Sequence, residues 1–146
     1  MLMADHLITR YGGMAALKRD YIRLENPPYM RLVIEHIGKG PRNGDLVSVA
    51  HYYEQNGDAM RDPEIVFEVV GDIWYPISIQ QDGLPTAYRE AVWQEDDGRV
   101  MMRPKLCKEI AQFARTWDRN LREQGFGKLP PTPARVTVMT AHSGRL

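Results

Sequence analysis

The side chains best suited to chemistry crowd into HYYEQNGDAMRDPE (51–64), which places His51, Glu54, Asp58, Asp62 and Glu64 around an Asn-Gly turn. An imidazole with several carboxylates is the ligand chemistry of a divalent metal site. One reading of the chain is therefore a metal-dependent hydrolase or nuclease, with His51, Asp58, Asp62 and Glu64 as metal ligands and catalytic groups. The spacing works against it. A strand over 46–54 sends His51 to the face of Val47, Val49 and Tyr53, and Glu54 to the opposite face. The acidic residues do not follow the alternate-position spacing of a calcium loop. Nor do they complete a nuclease core of Asp followed by Glu-x-Lys, because Val66 and Val70 stand where Glu64 and Glu68 would need a lysine. Asp62-Pro63-Glu64 has a plain structural use: Asp62 can bond nearby N–H groups while Pro63 fixes the approach to a strand. The favoured reading assigns no catalytic residue, no metal and no cofactor, and leaves the stretch as a polar hairpin.

Three other features could carry chemistry. Cys107 lies near the start of a predicted helix, whose dipole would lower a thiol pKa, yet no His partner is evident and a packed thiol is the simpler account. GKGPRNGD (38–45) has glycines and two basic residues without the Walker spacing, so it reads as a hairpin loop before an anion contact. Lys108, Arg115, Arg119 and Arg122 fall within roughly 60° of one another on that helix, opposite its apolar face. They are the candidate binding residues, facing nucleic-acid phosphate or an acidic protein surface. Trp74, Trp93, Tyr52, Tyr53 and Tyr88 lie on or near predicted strands, where aromatics serve core, interface or base stacking; no RNP motif singles out RNA.

The elements that must position these groups follow from periodicity and breakers. Two short helices flank Gly12-Gly13, and the second carries Met14, Leu17, Tyr21 and Leu24 at spacings of three and four until Asn26-Pro27-Pro28 stops it. Strands are expected over 29–37, 46–54, 64–70, 73–80 and 86–94, each closed by Gly, Asn or Asp turn residues. Pro76 cannot donate to a ladder, so its strand is at an edge or bulged there. From Pro104 to Gly125 no breaker intervenes, and Leu106, Ile110, Phe113, Trp117 and Leu121 form one apolar face of a long helix. The result is an α+β domain over 1–127: a helical segment 1–25, an antiparallel meander of about five strands over 29–102, and a long helix 104–124 packed on it. A Pro-rich tail, 128–146, follows, in which Val136 to Met139 could add a short strand or bind a partner; otherwise a disordered end is expected.

Composition bounds the class of function. The chain of 146 residues, 43% hydrophobic, can bury a core without staples, and its single cysteine excludes an internal disulfide and a Cys-rich zinc site. Neither a signal-peptide block nor a run of the roughly 18 apolar residues needed to span a bilayer is present, so a cytoplasmic protein without a membrane partner is expected. Nineteen basic residues balance nineteen acidic ones, which disfavours a dedicated duplex-binding domain and permits self-association, most simply as a two-fold homodimer.

HYYEQNGDAMRDPEIVFEV, WYPISIQQDG and FARTWDRNLREQGF together resemble a bacterial family of domains of unknown function found in plasmid, phage and integrative-element proteins, over about residues 29–127. The recognisable pieces are His51 to Asp58, Asp62 to Glu64, and Trp117, Asn120 and Gln124 to Phe126. The resemblance brings no activity with it. It implies a mobile-element accessory protein, with inhibition of a host defence system or help in DNA transfer as the typical roles. Because no cluster has complete chemistry, a non-enzymatic binder is expected, acting on a protein partner before a nucleic acid.

Overall fold

The computed structural model describes residues 1–129; the expected tail strand at Val136 to Met139 lies outside the described residues. The opening helices are α1 (Leu2–Arg10) and α2 (Gly13–Arg19). Gly12 joins them at φ 112, a left-handed conformation that glycine adopts without steric cost. The first amides of α1 have no local cap. Asp118, from the far end of the sequence, accepts from the N–H groups of Leu2 at 2.8 Å and Met3 at 3.0 Å. That carboxylate does the work of an N-cap and complements the helix dipole.

Six strands then form one antiparallel sheet in chain order: β1 (Ile22–Leu24), β2 (Arg31–Lys39), β3 (Asp45–Gln55), β4 (Asp58–Val70), β5 (Ile73–Gln80) and β6 (Tyr88–Glu90). A separate two-stranded ribbon pairs β7 (Val92–Gln94) with β8 (Val100–Met102). The chain ends its described part with α3 (Pro104–Glu123) and a 3₁₀ turn, Phe126–Lys128. The α+β meander with a long helix packed on it is therefore present, with six strands in the main sheet.

Two elements depart from expectation. The second helix stops at Arg19 because Asp20 turns extended (φ −160, ψ 137), and Ile22–Leu24 joins the edge of the sheet. Ile22 and Leu24 enter the main core while Tyr21 enters a smaller cluster with Val33, Ala50 and Tyr52. The expected strand 86–94 breaks at Ala91, whose N–H donates to Ile77 O at 2.7 Å and whose carbonyl accepts from Arg103 N at 2.8 Å. Pro76 sits in an interior strand, and the sheet absorbs it by a bulge: Phe67 pairs with Pro76 and Val66 with Ser78.

The core fills the space between one sheet face and the helices. Val47, Val49, Ile65, Phe67 and Ile79 meet Ile110, Trp117 and Leu121 of α3 and Leu7 of α1. Each such side chain contributes about 1.5–3 kcal/mol by leaving water. At the β2–β3 connection, Glu68 is fully buried and accepts from Arg42 N at 2.7 Å, Gly44 N at 2.8 Å and Arg42 Nη1 at 3.3 Å. The GKGPRNGD loop does hold an anion, and that anion is the chain's own carboxylate. No helix among the described residues is long and apolar enough to cross a membrane.

Candidate functional site

The sheet register prepares a site beside His51. Ala50 pairs with Glu64 and Tyr52 with Arg61, so His51 faces an extra residue in β4, at Asp62-Pro63. At this bulge Asp62 is exposed, and Asp62 and Pro63 border a cleft shared with the second half of α3. His51 itself is only 5% exposed. Trp117 Nε1 donates to its Nδ1 at 3.3 Å, the two rings meeting edge-on at 5.3 Å, and Phe126 lies 5.5 Å from it on another side.

That hydrogen bond settles the state of the ring. Indole N–H can only donate, so Nδ1 is the acceptor and the proton resides on Nε2. Burial pushes the His51 pKa down to about 4, so the imidazole is neutral at physiological pH. Its Nε2 is buried without a hydrogen-bond partner among the described residues, and so is Gln124 Oε1. His51 and Gln124 line the same cleft, of about 530 Å³, between the Pro28–Met30 loop, the Asp62-Pro63 bulge and the second half of α3. Asn26 Nδ2 donates to Gln124 O at 2.8 Å and ties that loop to the helix end. Gly125, at φ 85, supplies the left-handed turn that stops α3 there. A buried donor and a buried acceptor, both unpaired, are unusual in a folded interior.

The model of DUF6908, a domain of unknown function, matches residues 3–127. The chain belongs to this family. The match takes in α1 and α2, which the resemblance over about 29–127 had left out, and the two helices are accordingly part of the DUF6908 domain. No curated protein and no solved structure matches the chain.

Within the DUF6908 domain the sequence-marked residues separate. His51 and Asp62 border the cleft, where Asp62 accepts from Gln81 Nε2 at 3.4 Å. Glu54 is exposed, 3.9 Å from Arg31, and Asp58 lines a different depression with Arg31, Arg61 and Asp82. Glu64 accepts from Ser48 Oγ at 2.6 Å and pairs with Arg61 at 3.5 Å, while Arg61 Nε donates to Asp82 at 3.0 Å. Among the described residues no three of His, Cys, Asp and Glu form a group able to hold a metal ion.

Lys108, Arg115, Arg119 and Arg122 are all exposed on α3, and Arg115 donates to Gln112 Oε1 at 2.7 Å. Arg122 borders another groove, with His6 and Asp118. Cys107 is half-buried with Sγ 4.0 Å from Ala91 O, and burial pushes its thiol pKa up. Among the aromatics, Trp74 meets Phe67 edge-on at 5.4 Å, Arg103 lies 4.3 Å over Trp93, Arg31 lies 5.4 Å over Tyr52, and Tyr88 is exposed.

Trp117, Asn120 and Gln124 were not marked by spacing as site residues, because they lie 66 or more positions from His51. One signal did group them. His51, Asp62-Pro63, Trp117, Asn120 and Gln124 are among the pieces that carry the family resemblance, and all line the cleft.

Proposed function

We propose that this DUF6908 protein is a small non-enzymatic binding protein that recognises a protein partner through the His51 cleft. One observation carries the reading: Trp117 Nε1 occupies the Nδ1 lone pair of His51 and leaves Nε2–H as a buried neutral donor without a partner among the described residues, on a side chain that lines the cleft. For Nε2 to accept a proton or ligate a metal, the Nδ1 nitrogen would have to take up a proton against the Trp117 N–H. Two donors would then oppose each other in a buried space, at roughly 1–3 kcal/mol for the lost bond. The imidazole is thus set to recognise an acceptor. A net charge of zero and the exposed Asp62 carboxylate at the rim favour protein over phosphate. Lys108, Arg115, Arg119 and Arg122, on the solvent face of α3, supply a second contact to an acidic patch of the partner. Resemblance to domains of plasmid, phage and integrative-element proteins supports a mobile-element setting, in which inhibiting a host defence system is the role such a binder would serve.

A photoreactive residue at Thr116, which is exposed on the cleft rim, tests this in host cells. Protein adducts that resist nuclease and disappear with Asn120→Arg are expected. Adducts formed only from Arg119, or lost on nuclease digestion, would refute cleft-mediated protein recognition.

A further inference from the structure

We infer that the cleft takes an extended peptide segment of the partner, its backbone C=O and N–H groups pairing with His51 and Gln124 and a neighbouring Arg or Lys side chain reaching Asp62. This rests on the reading of the cleft as the recognition site. A peptide unit carries one acceptor and one donor, a C=O and an N–H. The cleft presents the complement: His51 Nε2–H as donor and Gln124 Oε1 as acceptor, both buried and both without partners among the described residues. Left unpaired, each such group opposes folding, and a bound peptide backbone carries the acceptor and the donor that would satisfy them. The cleft wall also carries carbon, from Pro28, Phe113 and Trp117, against which a peptide backbone can pack. The volume of about 530 Å³ is that of a site for a short segment or small molecule rather than a whole protein surface.

Charge selects the side chain. Asp62 is exposed on the rim, and its contact with Gln81 Nε2 is long, at 3.4 Å. The last turn of α3, around Gln124, adds the negative end of a 20-residue helix dipole to the same cleft. An anionic side chain is disfavoured there, whereas a guanidinium or ammonium gains both the carboxylate and the ring of Tyr29, which is 45% exposed. Arg122 does not compensate the site, since it borders the groove with His6 and Asp118.

The test uses the full ¹⁵N-labelled chain and two probes of opposite charge, N-acetyl-arginine-N-methylamide and N-acetyl-glutamate-N-methylamide. The indole N–H signal of Trp117, which reports on His51 directly, and the side-chain amide of Gln124 are followed during titration. Saturable shifts with the arginine probe are expected, half-complete at about 1 mM for so small a ligand. The glutamate probe should bind at least fivefold more weakly. Asp62→Asn should erase the difference between the probes, and Gln124→Ala should weaken the arginine probe about tenfold while the indole signals of Trp74 and Trp93 stay in place. Equal affinity for both probes would overturn the cationic preference. No saturable shift from either probe, with adducts still formed from Thr116 in cells, would overturn the peptide assignment and leave the cleft a recognition site of another kind. Loss of both the shifts and the adducts would overturn the two readings together.

Discussion

His51 sits where a sheet bulge, an indole N–H and a helix end meet, and its protonation is coupled to the stability of the whole domain. In the unfolded chain its pKa returns to near the ordinary histidine value of 6.5, against about 4 in the folded state. Between those values the unfolded chain binds the extra proton, so stability rises with pH through that window. The His51 contribution is complete above pH 6.5 and is lost as pH falls toward 4. Urea unfolding should therefore show wild type losing roughly 2 kcal/mol more than His51→Gln between pH 6.5 and 4.5. Parallel pH profiles for the two proteins would show that His51 is not the buried neutral group described. The same substitution at pH 7 leaves the size of the pH-independent loss to the Trp117 bond, expected at about 1 kcal/mol.

At the scale of the element, the β2–β3 connection shows how a polar loop can be built around an internal charge. Glu68 reaches from β4 into the loop and takes two backbone N–H groups, from Arg42 and Gly44, while Arg42 lies 4.0 Å over the Tyr75 ring. Glu68→Ala leaves those amides and the guanidinium without their acceptor, and should cost about 3 kcal/mol by thermal or chemical unfolding. Gly44→Ala should be destabilising through a different route, because a Cβ there would come 2.6 Å from Val69 O, a backbone atom that cannot swing aside. An unchanged melting temperature for either variant would mean that the loop is not held by this contact. None of this could be read in GKGPRNGD, where glycines and basic residues look the same whether the anion is foreign or internal. The long helix was legible because its apolar face repeats over about four turns, and β5 because turn residues bound its apolar run, although the bulge at Pro76 buries Ile77 and Ile79 and leaves Ile73 exposed. β1 was misread for a physical reason: Tyr21 and Leu24 extend the spacing of Met14 and Leu17, and a three-residue strand is too short for alternation to outvote it. β8 is equally short, and its partner β7 reads as the end of a longer strand until the bonds of Ala91 turn the chain.

Across the whole molecule, contacts distant in sequence fix what local patterns leave open. His51 and Trp117 are 66 residues apart, and Asp118 holds the start of α1 across 116, so the cleft and the helix layer are both completed by α3. Sequence spacing could identify α3 and β3 separately. It could not place His51 against Trp117, since that depends on the bulge at Asp62-Pro63 and on how the helix rotates onto the sheet. The rotation has a checkable consequence. Asp118 points toward α1 and must satisfy the N–H groups of Leu2 and Met3, whereas Arg115, Arg119 and Arg122 on the same helix are exposed. Asp118→Ala should cost about 1 kcal/mol, as loss of a helix cap does, and hydrogen exchange should quicken in α1 well before it does in β3 or β4. Reversing Arg115, Arg119 and Arg122 to Glu changes the charge by two units at each position and takes the net charge from 0 to −6. Yet the unfolding free energy should move by no more than about 0.5 kcal/mol, because an exposed face contributes little to folding. The pairing of these two results is what matters. A large loss from the triple reversal, with no loss from Asp118→Ala, would place the opposite face of α3 against the domain and remove Phe113, Asn120 and Gln124 from the cleft.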